Sequence, residues 1–376
     1  MSRAGSIYAP LALLVAVLGP GSVAAQSADA KPTGLANLRS LPAEATAAAR
    51  TNPHWRAPRT SWGDPSFEGV WNTDDLRSVP FNRPASFAER QALTEEEFLE
   101  RAARDEAGRS GPGDFLQHEW GTRTFGYTSL VVDPPNGRIP ALTPMGDALA
   151  ATRNAGTFGP GPFDALGDFT LYDRCITRGV LGSLLPVIYG NGVRITQNPQ
   201  ALAITYEMIH DTRVIPLDGR APLDAGIRQW IGSARGRFEG DTLVVESANF
   251  TDRTNLGTNG NGPPNSEALK LTERFTRVDP EMIEYVATIE DPVAYTAPFT
   301  LRLTITARPE FEILEYSCHE GNGAVRNSLS GERVYERQVA EALAKGLPPP
   351  ARATEHNQIR DGIPDPADVI DINAGE

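Results

Sequence analysis

Several sequence signatures of common enzyme classes are missing from this chain. Neither Gly-x-x-x-x-Gly-Lys nor Gly-x-Gly-x-x-Gly occurs, which excludes the usual phosphate-binding and dinucleotide-binding loops. The metal-binding pattern His-Glu-x-x-His is missing too, and Ser233 does not lie in a Gly-x-Ser-x-Gly nucleophile elbow. We therefore expect chemistry that uses no cofactor, no bound metal and no covalent nucleophile.

Basic residues are too few to balance the acidic ones. Lys and Arg number 35 against 48 Asp and Glu, and the formal net charge is −13. Because a surface for nucleic-acid phosphates needs clustered Lys and Arg, and no basic run occurs, we expect no nucleic-acid partner. Long apolar runs are missing as well, so the mature chain is expected to have no membrane span.

The first 25 residues have the pattern of an export signal. Arg3 supplies a charged start, residues 8–18 form a short apolar stretch, and residues 23–25 are small enough for a cleavage site. We therefore expect residues 1–25 to be removed and the protein to be periplasmic or extracellular.

Cysteine is scarce, since only Cys175 and Cys318 occur. An even pair in an oxidising compartment predicts one disulfide between them, and two buried free thiols are the alternative. Closing so long a loop stabilises a fold by roughly 4–5 kcal/mol if chain entropy alone is considered.

The rest of the chain divides into a linker, a packed body and a tail. Residues 26–60 are rich in Ala, Pro, Thr and Ser, a composition that predicts a disordered linker. Residues 61–190 are expected to pack on a strand-rich core at 191–340. Residues 341–376 are Pro-rich and acidic and predict a tail.

The core is predicted to be a succession of short strands. Short turns join many of them, which favours antiparallel neighbours, and closing eight such strands removes their exposed edges. We predict a mainly β fold, in which the strands form an antiparallel up-and-down, lipocalin-like barrel with room for one small ligand. An N-terminal segment is expected to wrap around this barrel, together with a few short helices. The clearest helix is expected to begin after Thr94, which forms a capping box with Glu97, and to end near residue 107. The predicted strands are 193–196, 201–209, 213–217, 242–250, 268–278, 282–290, 299–308 and 312–318.

Six sequence blocks occur in a fixed order between residues 61 and 333, and they resemble the recurring blocks of a large family of uncharacterised exported bacterial proteins. This resemblance implies export but brings no activity, cofactor or catalytic residue with it. The strand order is also similar in outline to lipocalin-like barrels, which is an analogy of fold alone. The six blocks are 65–72, 129–140, 207–211, 215–220, 236–246 and 316–322.

Glu273 is the most informative candidate for a catalytic residue. Leu269, Leu271 and Phe275 form the apolar face of its strand, and a period of two places Glu273 on that same face. An inward carboxylate without a partner has a raised pKa and can act as a general acid or base. The alternative is a structural ion pair with one of the arginines.

His210, Glu207 and His319 complete the predicted catalytic group. His210 and Glu207 lie at a polar strand end, where a carboxylate can orient a histidine base, although a satisfied turn histidine is the alternative. His319 follows Cys318, so the disulfide would fix its backbone. No spacing supports a metal site. The predicted ligand-binding residues are Tyr206, Arg228, Trp230, Tyr316, Glu320 and Asn322.

Two functions fit these residues. The first is an exported, cofactor-free acid/base enzyme of the lyase, isomerase or hydratase type, which acts on a small, largely apolar or aromatic molecule in the barrel cavity. For this function Glu273, His210 and His319 are expected to converge on one cavity. The alternative is a carrier that binds a small hydrophobic ligand without changing it.

Overall fold

The structure is a computed structural model that describes residues 55–110, 120–152, 163–257 and 262–351. The expected export signal at 1–25 lies outside the described residues, as do most of the expected linker and tail. The boundaries of these segments therefore stay predictions.

Ten strands form one sheet that curves into a nearly closed barrel. The strands are β1 (Gly69–Asn72), β2 (Val131–Asp133), β3 (Gly192–Asn198), β4 (Ala201–Tyr206), β5 (Thr212–Pro216), β6 (Ser233–Glu239), β7 (Thr242–Ala248), β8 (Lys270–Asp279), β9 (Met282–Glu290) and β10 (Phe299–Ala307). Nine follow the antiparallel order β5-β4-β3-β1-β10-β9-β8-β7-β6, and β2 pairs with β10 beside that path. The predicted mainly β, antiparallel, barrel-like fold is confirmed.

The N-terminal segment contributes one strand to the barrel wall. Trp71 of β1 pairs with Val193 of β3 on one side and with Ala307 of β10 on the other. The expected wrapping segment therefore joins two sets of hairpins into one sheet. The edge strands β5 and β6 meet at Gly236, where an added Cβ would lie 2.8 Å from Ile215 Cγ2. Glycine thus permits the close approach that nearly closes the barrel.

The structure differs from the predicted strands at several places. The strand predicted at 201–209 ends at Tyr206, because residues 208–210 form a 3-10 turn, and β1 is missing from the predicted strands. Residues 312–318, predicted as the last strand, have no strand partner, and Leu314 N donates to the Glu207 carboxylate instead. Conversely, β6 is missing from the predicted strands. Its sequence is mostly polar, and only Ala234 within it is buried, so alternation gives a weak signal there.

Within the described ranges, three α-helices lie outside the barrel wall: α1 (Glu95–Ser110), α2 (Pro144–Ala151) and α3 (Ala324–Ala344). The predicted capping box of α1 is present, since Thr94 N donates to Glu97 Oε2 at 2.7 Å and Glu97 N to Thr94 Oγ1 at 3.3 Å. None of the described helices is long and apolar enough to cross a membrane. Short 3-10 turns occur at Asp74–Leu76, Ala85–Phe87, Leu166–Asp168 and Met208–His210.

Large side chains fill the barrel, and the strand register defines its two ends. Phe275 and Tyr285 are buried with ring centroids 4.8 Å apart. At one end β4 stops at Tyr206, and the turn that follows carries His210, so we call this the His210 end. β7 runs in the same direction as β4, so β7 stops and β8 starts at this same end, next to Arg228, and we call this part the Arg228 side.

Candidate functional site

The structure separates the predicted site residues into three groups. Glu273 and Tyr206 lie inside the barrel. Arg228 and Trp230 lie on the Arg228 side. The others gather around the turn that carries His210: Glu207, His210, Tyr316, His319, Glu320, Asn322, Cys175 and Cys318.

Glu273 faces the interior, as the period of two predicts, but its carboxylate is paired. Arg213 of β5 donates to both carboxylate oxygens, at 2.8 and 2.5 Å, and the Tyr285 hydroxyl donates to Oε1 at 3.0 Å. The Arg213 and Glu273 side chains are only 2% and 0% exposed. Arg213 also donates to Ser247 Oγ at 2.7 Å. The structural ion pair, left open as the alternative, is therefore what the barrel contains.

Tyr206 is buried next to this network, but its hydroxyl is not hydrogen-bonded to it. Its hydroxyl lies near Arg213 and Glu273, yet it has no hydrogen bond of ordinary geometry in the part of the chain that the structure describes. Burial is the main cause that raises the pKa of Tyr206, and the nearby Arg213 opposes it. Tyr206 therefore stays a neutral phenol inside the barrel.

Arg213 is missing from the predicted site, although the sequence contains a signal for it. On β5, Arg213 and Ile215 are buried, whereas the alternate residues Thr212 and Val214 are exposed. A period of two thus turns Arg213 to the same side as Ile215. A buried arginine needs an anionic partner, and Glu273 is the inward carboxylate that meets this need.

Residues 311–322 form a segment without helix or strand that we call the strap. Cys318 of the strap is bonded to Cys175, so the predicted disulfide is confirmed. Asn322 Nδ2 donates to Asp173 O at 2.9 Å, and Leu314 N donates to Glu207 Oε1 at 3.4 Å. The strap is therefore fixed both to the loop before β3 and to the end of β4.

His210 is presented by a strained turn. Ile209 and His210 both have positive φ, at 66° and 48°, and a β-branched residue rarely adopts this conformation. Such residues cost about 1–3 kcal/mol each and persist where the surroundings hold them, often at functional sites. Here Asp211 secures the turn, because it accepts a hydrogen bond from Thr177 Oγ1 at 2.7 Å.

The strap fixes the tautomer of His210. His210 Nδ1 lies 2.9 Å from the carbonyl oxygen of Tyr316. A carbonyl oxygen only accepts, so Nδ1 carries the proton, and in the neutral ring Nε2 keeps its lone pair. Since His210 is exposed, this nitrogen is accessible to a small molecule. His319 is exposed as well, but none of the described hydrogen bonds holds its ring.

Three tyrosines lie beside His210. Tyr189 and Tyr316 stack with ring centroids 6.4 Å apart and hydroxyl oxygens 3.4 Å apart, and Tyr172 hydrogen-bonds to this pair. Burial is the main cause that raises the pKa of Tyr172 and of Tyr316. The buried Arg178 lies next to all three rings. We call Tyr172, Tyr189, Tyr316 and Arg178 the tyrosine cluster.

Most of the tyrosine cluster is absent from the predicted site, which includes only Tyr316. The positions of the two cysteines in the sequence could have indicated these residues. Tyr172 and Arg178 each lie three positions from Cys175, and Tyr316 lies two positions before Cys318. A bridge between the cysteines brings these short segments together, so the residues that flank both cysteines are candidates for one site.

Arg228 and Trp230 lie at the same end of the barrel as His210, but no described hydrogen bond or ion pair connects either of them with His210. Arg228 pairs with Glu267 at 3.0 Å and lines an open cleft of about 490 Å³ together with Asn249 and Lys270. Trp230 is 36% exposed and is not among the residues that line this cleft. Nor does any described hydrogen bond or ion pair connect Glu273 with either histidine. One cavity shared by Glu273, His210 and His319 therefore stays a prediction.

One acidic group lies apart from these residues. Asp164, Glu332 and Glu336 bring carboxylate oxygens within 4.8 Å of one another. Arg333 already pairs with Asp164 at 2.8 Å and with Glu336 at 3.1 Å. The guanidinium supplies the positive charge that this cluster requires, so the group fastens α3 to the preceding loop.

Comparison of the chain with family models, with curated proteins and with solved structures found no match. The barrel fold and the disulfide are therefore established from the structure alone, and the likeness to exported bacterial proteins stays a resemblance.

Proposed function

We propose that the chain is an exported acid/base enzyme of the lyase, isomerase or hydratase type, whose reaction takes place at the His210 end. The observation that carries this proposal is the orientation of His210. A strained turn and a hydrogen bond from Nδ1 to Tyr316 hold the ring so that Nε2 is free and exposed. Imidazole is the side chain best suited to exchange protons near neutral pH.

The tyrosine cluster supplies the acid that a base of this kind requires. Protonated phenols donate hydrogen bonds, and the raised pKa of Tyr172 and Tyr316 keeps them in that form. When His210 removes a proton from carbon, negative charge develops on a neighbouring oxygen of the substrate. Fixed donors and the positive charge of Arg178 stabilise that charge without reorganisation.

Export and the family resemblance belong to the same proposal. The disulfide between Cys175 and Cys318 supports a periplasmic or extracellular location, because disulfides persist in oxidising compartments. The six sequence blocks support membership of the exported bacterial family. A carrier of a small apolar or aromatic molecule is the second candidate, and the open cleft beside Arg228 is the observation that favours it.

Deuterium exchange tests the enzyme without knowledge of its substrate. The oxidised full chain is incubated in D2O with small C–H acids, namely cyclohexanone, cyclohexenone, phenylpyruvate and butyrolactone, and mass spectrometry counts the deuterium gained. We expect exchange with at least one probe, and a loss of about 100-fold in its rate for His210→Gln, as is typical when a general base is removed.

Glu315→Gln is the matched control, because Glu315 is exposed on the same strap and belongs to no predicted site. It should retain the rate of the unaltered chain. If His210→Gln exchanges as fast as the unaltered chain, His210 is not the base. If no probe exchanges and native mass spectrometry of the exported protein recovers an unchanged bound molecule, the carrier is the correct function.

A further inference from the structure

The tyrosine cluster combines hydrogen-bond donors with a buried positive charge. Arg178 is 3% exposed, and Tyr172, Tyr189 and Tyr316 are among its electrostatic neighbours. Burial lowers the pKa of Arg178 to about 10, so the guanidinium stays charged at neutral pH. This cation gives the cluster a local positive charge in a chain whose net charge is −13.

The three hydroxyl groups hydrogen-bond to one another, and one of these contacts is long. The rings of Tyr189 and Tyr316 are nearly parallel, with an interplanar angle of 18°, and their hydroxyl oxygens are 3.4 Å apart. That separation is longer than the roughly 2.7–2.8 Å of a strong O–H···O bond, so the contact between them is weak. A carboxylate, which accepts about four hydrogen bonds, satisfies these donors better than they satisfy each other.

Carboxylates on the adjoining segments are already hydrogen-bonded to the scaffold. Asp211 accepts from Thr177 Oγ1 at 2.7 Å, and Glu207 accepts from Gly192 N at 3.1 Å. Glu315 and Glu320 of the strap are exposed, so water and salt screen their charges. These acids hold or surround the site.

We propose that the His210 end binds a small carboxylic acid with an apolar or aromatic body, whose carboxylate accepts hydrogen bonds from Tyr172, Tyr189 and Tyr316 beside Arg178. This inference rests on the site of the proposed function and adds the charge of its substrate. Tyr316 also fixes His210 through its carbonyl oxygen, so the proposed carboxylate site and the histidine share this residue.

Two ligands of equal shape and different charge test the proposal. Calorimetric titration of the oxidised full chain with phenylacetate and with its neutral amide, phenylacetamide, compares a carboxylate with an uncharged isostere. We expect phenylacetate to bind at least tenfold more tightly. Tyr316→Phe and Tyr189→Phe, which remove one oxygen each, should each weaken phenylacetate binding about tenfold and leave phenylacetamide unchanged.

Tyr335→Phe on α3 is the matched control, and it should bind phenylacetate like the unaltered chain. Far-ultraviolet circular dichroism verifies that each variant is folded. Equal affinity for the two ligands, or no change in either cluster variant, overturns the carboxylate site. His210→Gln separates this inference from the proposed enzyme, because it should abolish deuterium exchange and keep phenylacetate binding. Carboxylate binding without exchange therefore refutes the enzyme alone, and exchange without preference for the carboxylate refutes this inference alone.

Discussion

At the scale of single residues, the buried ion pair between Glu273 and Arg213 shows what an unpaired charge inside this barrel would cost in stability. Glu273→Gln keeps the shape of the side chain but leaves the Arg213 guanidinium buried without a compensating charge. Breaking one side of a buried ion pair costs about 3–5 kcal/mol. We expect a loss of that size in the free energy of unfolding, measured from urea denaturation followed by circular dichroism.

Glu246→Gln on the adjacent strand β7 is the control for this change. Glu246 pairs with Arg237 at 2.7 Å, but the two side chains are 59% and 51% exposed, so the same substitution should cost less than about 1 kcal/mol. If the two substitutions lower the free energy of unfolding equally, the ion pair between Glu273 and Arg213 is not shielded from water. Replacing both Arg213 and Glu273 by Met should recover much of the lost stability, because no unpaired charge then remains.

The direction of Glu273 was predictable from the sequence, whereas its partner was not. Alternation along one strand shows which face a side chain occupies, and Leu271 and Phe275 fix that face. The partner lies 60 residues away on β5, and contact across the barrel depends on which strands are neighbours. Local periodicity does not show which strands are neighbours. The inward direction of Glu273 was therefore equally compatible with a catalytic role and with a structural ion pair.

At the scale of elements, the strap links the disulfide to the candidate base. The double substitution Cys175→Ser and Cys318→Ser frees a loop closed across 143 positions, which should lower the free energy of unfolding by about 4–5 kcal/mol in the chain-entropy account. The barrel ladders do not include the strap, so the fold should remain. His210 should then lose its fixed tautomer, which nitrogen chemical shifts of the imidazole report.

Tris(carboxyethyl)phosphine treatment of the unaltered chain is the control, and it should reproduce both effects. Unchanged imidazole shifts in the double variant would mean that Leu314 and Asn322 hold the strap without the bridge. Loss of all β-sheet signal would mean that the disulfide supports the barrel itself rather than the strap.

The elements that the sequence predicted well are those with a strong local pattern. β9, β10 and the start of α1 have clear alternation or a capping box. β1 and β6 are short or mostly polar, and they exist because neighbouring strands supply their partners. α3 has little buried apolar surface, since Val334 and Leu343 are 43% and 60% exposed, so its apolar stripe is weak.

At the scale of the whole molecule, burial of tyrosines makes stability depend on alkaline pH. Burial is the main cause that raises the pKa of six described tyrosines above the ordinary value near 10. Two buried arginines, Arg101 and Arg178, act in the opposite direction because burial lowers the pKa of each to about 10. The tyrosines outnumber them. The six tyrosines are Tyr127, Tyr172, Tyr206, Tyr285, Tyr295 and Tyr316.

Above about pH 10 the unfolded chain releases its tyrosine protons while the folded chain keeps them, so the folded state binds more protons. The free energy of unfolding should therefore be constant from about pH 8 to pH 9.5 and fall above pH 10, by about 1.4 kcal/mol per pH unit for each tyrosine concerned. Urea denaturation across this range measures the fall, and tyrosinate absorbance of the folded chain measures ionisation. Full ionisation near pH 10.5 in a chain that is still folded would show that these phenols are accessible to water and would contradict the packed interior of the barrel.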